Sequence, residues 1–181
     1  HSDEESKIGR YLKELSAKHE GLLTIIAPRH PTRGVEIQNI LKEKYQLKTA
    51  LRSANEKITP ETEVYIADTI GEMGIWYELC PIVFIGGSLI PHGGQNFMEP
   101  SRCRDAVIVG PHMHNFTDAM NRAKRADGII QVDETVDLID MVDQLLSNKE
   151  LLEAKRSLAY NWATSEAKVL DGIAEKIQGY M

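Results

Sequence analysis

Short apolar runs alternate along this chain with segments in which apolar residues recur every three or four positions. The runs are typical of short strands, several of them apolar on both faces. They cover residues 22–27, 48–51, 64–67, 81–85, 106–109 and 128–132. The recurring segments are typical of amphipathic helices. Helices are predicted from the stripes Ile8, Tyr11, Leu12, Leu15 and Ile37, Ile40, Leu41, and at residues 71–79, 97–102 and 117–126.

The last part of the chain is predicted to be mostly helical. Ile139, Val142, Leu145 and Leu146 mark one helix, and residues 151–177 form one or two more, with a polar break near residues 161–165. Residues 133–181 are therefore expected to be a helical carboxyl-terminal part.

The order of these elements predicts an α/β fold. Strands that alternate with helices form a parallel sheet with crossover connections. We expect a Rossmann-like, open, mostly parallel sheet with helices on both faces. A chain of 181 residues with 42% hydrophobic side chains can bury one core, so residues 1–181 are predicted to be a single domain.

Composition excludes several classes of partner. The net charge is −6 and the basic residues are scattered, which argues against nucleic-acid binding. No apolar run approaches the roughly 20 residues that span a bilayer, and the first residues lack the features of a signal peptide, so this chain is expected to be soluble. Cys80 and Cys103 match no metal or redox spacing and are interpreted as buried thiols in a reducing compartment.

Polar residues cluster where three of the predicted strands end. These clusters are Arg29 with His30, residues 68–73, and residues 86–99. In open parallel sheets, ligands bind outside the carboxyl ends of the strands, near the point where strand order reverses. One site could therefore use all three clusters.

The cluster at residues 86–99 is the most informative. Its paired glycines let backbone N–H groups approach an anion, and Asn96 is placed to cap a helix that begins near Phe97. Glu99 cannot bind a phosphate and is interpreted as a partner of sugar hydroxyls. Turn chemistry alone would account for Gly93 and Gly94, but not for the whole polar set Ser88, His92, Gln95, Asn96 and Glu99. A nucleotide site is the favoured interpretation.

The other two clusters leave alternatives open. Arg29 could grip a phosphate or carboxylate with two parallel hydrogen bonds, or pair with a neighbouring acid while His30 caps a loop. The N–H groups of 71–74 could bind a base edge or a phosphate; alternatively, Met73 and Trp76 belong to the core and Glu72 only complements a helix dipole.

The histidines admit two interpretations. His112 and His114 alternate as metal ligands sometimes do, and His92 could be a third, but no clear carboxylate or thiolate accompanies them. Loop histidines that line a ligand cleft are the favoured interpretation. The chain also lacks the G-x-S-x-G, Walker and Rossmann G-x-G-x-x-G motifs, which weakens hydrolase, NTPase and dinucleotide-binding interpretations.

Four segments resemble successive motifs of the Kdo transferases, which move 3-deoxy-D-manno-octulosonic acid (Kdo) from CMP-Kdo onto a lipid A precursor in Gram-negative bacteria. They are APRHP at 27–31, DTIGEMG at 68–74, GGSLIPHGGQNFMEP at 86–100 and VGPHMHNF at 109–116. The likeness runs over residues 1–132, and the helical tail also suits the family. It implies the carboxyl-terminal, donor-binding half of a glycosyltransferase B fold.

The resemblance also implies what this chain lacks. In the family, an amino-terminal half binds the acceptor, supplies the general base and anchors the enzyme on the cytoplasmic side of the inner membrane. No catalytic residue is therefore expected in this chain, which alone should be inactive. No cofactor, no metal and no nucleic acid are implied for this half.

Site residues follow from the resemblance position by position. It implies that Arg29 and His30 approach the nucleotide, and that the backbone of Gly71, Glu72 and Met73 meets the cytosine. It further implies that Gly86, Gly87 and Ser88 with the helix start at Asn96 hold the phosphate region, and that Glu99 accepts hydrogen bonds from the ribose. Sugar or cleft contacts are expected from His92, Gly93, Gly94, Gln95, His112 and Asn115.

The sequence departs from the family at three positions in this segment. Gln95 stands where a histidine is common, and Phe97 and Met98 replace a usual Pro-Leu pair. The expected function is the donor-binding half of an inverting glycosyltransferase in lipopolysaccharide biosynthesis. The alternatives are a UDP-type transferase or epimerase of the same fold, and a nucleotide-binding module without activity.

Overall fold

The computed structural model describes residues 2–178, and the side chains of residues 8–167. The helices are α1 (Ser2–Lys18), α2 (Gly34–Tyr45), α3 (Met73–Leu79), α4 (Met98–Arg102), α5 (Thr117–Arg125), α6 (Thr135–Ser147) and α7 (Lys149–Gln178). The strands are β1 (Thr24–Ile26), β2 (Thr49–Leu51), β3 (Val64–Ile66), β4 (Ile82–Phe84), β5 (Ala106–Val109) and β6 (Ile130–Gln131). Short 3-10 helices cover Pro31–Arg33 and His114–Phe116.

The chain forms two compact units. The first contains His1–Trp76 and Thr135–Leu146, and the second contains Tyr77–Glu134 and Ser147–Met181. Each unit holds one three-stranded sheet in which every pairing is parallel. The expected open, parallel sheet with helices is thus confirmed, as two separate three-stranded ladders.

In the first unit the strand order is β1-β3-β2. The central strand β3 is buried at every residue. Helices α1 and α2 lay their apolar stripes over Val64 and Ile66, whereas Tyr65 packs in a second cluster with Trp76. The core of this unit consists of Leu12, Ile37, Leu41, Leu47, Leu51, Val64 and Ile66. The stripes that predicted α1 and α2 are therefore the core-facing surfaces of these helices.

In the second unit the strand order is β4-β5-β6. All four residues of the central strand β5 are buried. Helix α7 packs on β5 and α4, where Trp162 stacks on Phe97 with ring centroids 5.3 Å apart. Phe116 meets the other side of Phe97, edge to face, at 5.9 Å. The segment around α4 is thereby attached to the core of its unit.

Two predictions about individual residues were wrong. No helix break occurs near 161–165, because α7 is continuous from Lys149 to Gln178. Ala163 is buried in the core, and the Ser165 hydroxyl donates to the Trp162 carbonyl at 2.7 Å, so these polar residues fit a helix that has one buried face. The thiols of Cys80 and Cys103 are half-buried rather than buried.

Candidate functional site

Two of the predicted polar clusters lie at one edge of the first unit's sheet. Arg29 and His30 follow β1, and Asp68 follows β3; these strands run parallel with Ile26 opposite Ile66. Their carboxyl ends therefore lie side by side. Arg29 and His30 are both exposed. This arrangement brings together the first two of the three predicted clusters.

The turn between β3 and α3 is exposed at Ile70, Gly71 and Met73, and half-buried at Glu72. Gly71 has a left-handed backbone with φ +87°, a conformation that other residues rarely adopt. The side chain of Met73 is 41% exposed, so it is not a core residue. Trp76 is half-buried and packs on Tyr65, with ring centroids 5.6 Å apart. The alternative prediction, that Met73 and Trp76 belong to the core, therefore holds for Trp76 but not for Met73.

Side chains next to the turn bind two of its carboxylates. Arg52 donates to Glu72 through Nε at 3.2 Å and Nη2 at 2.8 Å, and the Thr69 hydroxyl donates to the same carboxylate. These hydrogen bonds, first from Arg52 and then from Thr69, lower the pKa of Glu72. Asp68 accepts hydrogen bonds from the backbone N–H of Ser53 at 2.8 Å and from its hydroxyl at 2.6 Å.

Sequence analysis missed Arg52 and Ser53. They directly follow β2, the third strand of this sheet, so the rule that singled out Arg29 and residues 68–73 applied to them as well. Their partners lie 20 and 15 positions away in sequence. A polar pair directly after a strand can be recognised in the sequence. The residues that this pair contacts cannot be recognised there.

In the second unit, Ser88 joins the loops that follow β4 and β5. Its side chain is fully buried; the hydroxyl donates to the Ile85 carbonyl and accepts the Gly110 N–H at 2.8 Å. The Ser88 carbonyl accepts the His112 N–H at 2.9 Å. A Cβ on Gly110 would lie 2.3 Å from that carbonyl oxygen, so only glycine fits there. The Ser88 hydroxyl is therefore committed to the loops themselves.

The second pair of glycines closes the same structure. Gly93 and Gly94 have φ values of +90° and +73°, and both are buried. The Gly94 N–H donates to the Gly87 carbonyl at 3.0 Å, and the Asn115 side chain donates to the His92 carbonyl at 3.3 Å. Residues 86–94 and 110–116 thus form one hydrogen-bonded rim, which we call the glycine rim.

The exposed groups around the glycine rim include Gly86, His92, His114 and Asn115. Gln95 and His112 are half-buried. Among the residues whose side chains are described, no group of three or more His, Cys, Asp or Glu residues could hold a metal ion.

Asn96 does not cap α4 in the predicted way. The helix begins at Met98 with Phe97 as the flanking residue, and Asn96 accepts only the Met98 N–H, at 3.0 Å. Phe97 is completely buried, and its ring stacks on Trp162. Glu99 lies in the first turn with its side chain exposed, and it has no hydrogen-bond or ion-pair partner among the described side chains.

Within residues 2–178, no helix is long and apolar enough to cross a membrane.

Comparisons with known proteins point to one kind of enzyme. No family model matches the chain. It is 32% identical to the 3-deoxy-D-manno-octulosonic acid transferase of Haemophilus influenzae over 183 residues, which covers 100% of this chain and 42% of that protein. It is 40% identical to the probable mitochondrial 3-deoxy-D-manno-octulosonic acid transferase of Arabidopsis thaliana, over 84% of this chain and 35% of that protein. The chain therefore spans less than half the length of these curated relatives.

A solved structure matches the fold closely. It is the crystal structure of the C-terminal CMP-Kdo binding domain of WaaA from Acinetobacter baumannii, with a TM-score of 0.84 and 31% sequence identity. The match covers 90% of this chain and 84% of that one.

Proposed function

Because this chain belongs to the Kdo transferase family, as a relative of its carboxyl-terminal domain, we propose that it binds the donor CMP-Kdo. The observation that carries this proposal is the close match to the CMP-Kdo binding domain of Acinetobacter baumannii over nine-tenths of the chain. For the whole protein we propose an inverting transfer of Kdo to a lipid A precursor at the inner membrane.

In the first unit, the proposed contacts are with the nucleotide. Arg29 is an exposed guanidinium at the carboxyl end of β1 and is assigned to the phosphate, to which it can donate two hydrogen bonds. His30 is assigned to the same part of the donor. The exposed backbone of Gly71, Glu72 and Met73 is assigned to the cytosine, whose ring carries both donors and acceptors.

In the second unit, the proposed contacts are with phosphate and sugars. Gly86 and Gly87 are assigned to the phosphate region through their backbone, together with Asn96. Ser88 acts here through its position, because its hydroxyl is fully used in joining the two loops. The exposed carboxylate of Glu99 accepts hydrogen bonds from the ribose hydroxyls.

Six residues in the glycine rim or next to it are assigned to the Kdo part. These residues are His92, Gly93, Gly94, Gln95, His112 and Asn115. Gly93 and Gly94 are buried and serve the shape of the rim, whereas His92 and Asn115 are exposed and can donate hydrogen bonds. Gln95 offers an amide where the family commonly has a titratable histidine.

The proposed reaction needs no covalent intermediate. An acceptor hydroxyl forms a bond to the anomeric carbon of Kdo while the bond from that carbon to the phosphate oxygen breaks, and CMP leaves with the electron pair. Negative charge grows on the departing phosphate, where the Arg29 guanidinium stabilises it. The proton of the acceptor hydroxyl goes to a general base, and none of the residues named here is assigned that role.

A calorimetric titration with CMP, UMP and UDP tests the donor assignment. We expect CMP to bind and the Glu99→Ala variant to bind it at least about tenfold more weakly, because hydrogen bonds to a charged acceptor are lost. Glu150→Ala is the matched control, since it removes an exposed carboxylate from the first turn of α7. Equal affinity for UMP and CMP would favour a UDP-type enzyme, and no binding of any nucleotide would overturn the proposal.

Catalytic competence is tested separately. We expect this chain to bind CMP without transferring Kdo from CMP-Kdo to a lipid acceptor, because its proposed residues contain no general base. Turnover by the chain alone would contradict this expectation.

A further inference from the structure

The turn between β3 and α3 keeps a defined shape although little of it is buried. Ile70 is 88% exposed and Met73 is 41% exposed, and no residue of α3 is buried. Gly71 is held at φ +87°, with nothing within 4 Å of the position where its Cβ would be. Apolar packing therefore contributes little to holding residues 69–73 in place, and hydrogen bonds hold them instead.

Arg52 supplies the main hydrogen bonds. It directly follows β2, whose last residue Leu51 lies opposite Ile66 in the parallel sheet, so Arg52 reaches the turn from the neighbouring strand end. Its two parallel hydrogen bonds to Glu72 have the geometry that a planar guanidinium makes with a carboxylate. Thr69 binds the same carboxylate from within the turn.

Glu72 connects these side-chain hydrogen bonds to the backbone of the turn. Its carbonyl accepts the N–H groups of Ile75 at 3.0 Å and Trp76 at 3.4 Å, which starts helix α3 at this point. Its carboxylate already accepts three hydrogen bonds, two from Arg52 and one from Thr69. What Glu72 can offer a ligand is its backbone, together with that of Gly71 and Met73.

Ser53 holds the other end of the turn. Asp68 is 6% exposed and accepts hydrogen bonds from the Ser53 backbone and hydroxyl. Two consecutive residues after β2 therefore bind a carboxylate at each end of the segment 68–72. The turn is fixed from both sides by side chains of the chain itself.

We propose that Arg52 is a positioning residue for the cytosine of the donor, holding Glu72 so that the backbone of residues 71–73 is already shaped for the base. This inference rests on the proposed function, which assigns that backbone to the cytosine. A turn that is ordered beforehand loses less conformational entropy on binding, so the affinity is higher. In this proposal Arg52 acts through Glu72 and is assigned no contact with the donor.

The test compares CMP binding by Arg52→Ala, Arg52→Lys and Arg122→Ala variants in calorimetric titrations. We expect Arg52→Ala to weaken CMP binding about tenfold, by the entropy of ordering a few residues. Arg52→Lys should recover part of this loss, because an ammonium keeps the charge but not the two parallel hydrogen bonds. Arg122 pairs with Glu166 in the second unit, where its Nε donates to both carboxylate oxygens at 3.0 and 2.8 Å, and its loss should leave CMP affinity unchanged.

A second measurement separates positioning from general destabilisation. Without nucleotide, amide hydrogen exchange at Ile75 and Trp76, whose N–H groups donate to the Glu72 carbonyl, should be faster in Arg52→Ala than in the unaltered protein, and unchanged in Arg122→Ala. If Arg52→Ala binds CMP with unchanged affinity, the inference is overturned while the proposed function stands. If the unaltered chain binds no CMP, the proposed function fails and this inference fails with it.

Discussion

Replacing Asp105 with asparagine should remove most of the pH dependence of unfolding in the second unit. Asp105 lies between α4 and β5 and is 1% exposed, and its Oδ2 atom is buried without a hydrogen-bond partner. Burial raises the pKa of this carboxyl to about 7, against a smaller opposite effect of the Arg156 guanidinium. The folded chain therefore retains a proton that the unfolded chain loses near pH 4.

The direction in which the free energy of unfolding changes with pH follows from this retained proton. Between about pH 4 and pH 7 folding takes up one proton at Asp105, so the free energy of unfolding falls as the pH rises through this window. One pKa unit corresponds to about 1.4 kcal/mol, so a change from about 4 to about 7 gives an upper limit of about 4 kcal/mol. The titratable groups that face Asp105 are Tyr77, Cys80, Cys103 and Arg156.

Neighbouring groups do not reverse this sign. Burial raises the pKa of Tyr77 to about 12, with smaller contributions from Glu99 and Asp105, and burial also raises the pKa of both thiols. These groups are therefore uncharged across pH 4 to 7. The Nε of Arg156 donates to the Arg104 carbonyl at 2.7 Å, so this guanidinium is only partly available to Asp105.

The assay is urea unfolding of the unaltered chain, Asp105→Asn and Asp133→Asn at pH 5 and pH 8. Asp133 is an exposed carboxylate of the same unit and serves as the control. We expect Asp105→Asn to be destabilising or neutral at pH 5 and stabilising at pH 8, with about 2–3 kcal/mol between the two effects, because only about two pH units of the window lie between pH 5 and the folded pKa. If Asp105→Asn keeps the full pH dependence of the unaltered chain, Asp105 is not protonated in the folded state and the reasoning is refuted.

Two further predictions concern loop geometry and an ion pair. Gly110→Ala should destabilise the chain by about 1–3 kcal/mol, because its Cβ would lie 2.3 Å from the Ser88 carbonyl oxygen. Chemical unfolding measures this change. An unchanged unfolding midpoint would show that the loops after β4 and β5 separate easily. Asp143 on α6 pairs first with Lys18 and then with His19, whose Nε2 lies 2.7 Å away, and these partners lower the pKa of its carboxyl. The stabilisation by these partners is present above the pKa of Asp143 in the unfolded chain and is lost as the pH falls through its pKa in the folded chain. Asp143→Asn should therefore lower Tm at pH 7 and have the same Tm as the unaltered chain at low pH. Equal Tm values at pH 7 would contradict this.

The sequence determined the elements and the family. Buried parallel strands carry apolar residues on both faces, and amphipathic helices carry apolar residues along one side, so each pattern can be recognised within a short segment of sequence. The predicted strands and helices are confirmed to within a few residues. The four polar motifs predicted a Kdo transferase carboxyl-terminal domain, which the curated relatives and the solved structure confirm. The predicted site residues themselves stay proposals.

The tertiary structure decided which polar groups contact each other. Arg52 meets Glu72 only because β2 and β3 are paired in register, and Ser88 meets Gly110 only because β4 and β5 are. Local patterns predict that a residue is polar and follows a strand, but the partner is set by strand order and register over about 20 positions. The burial of Asp105 has the same origin, because only the packed second unit excludes water from that carboxylate.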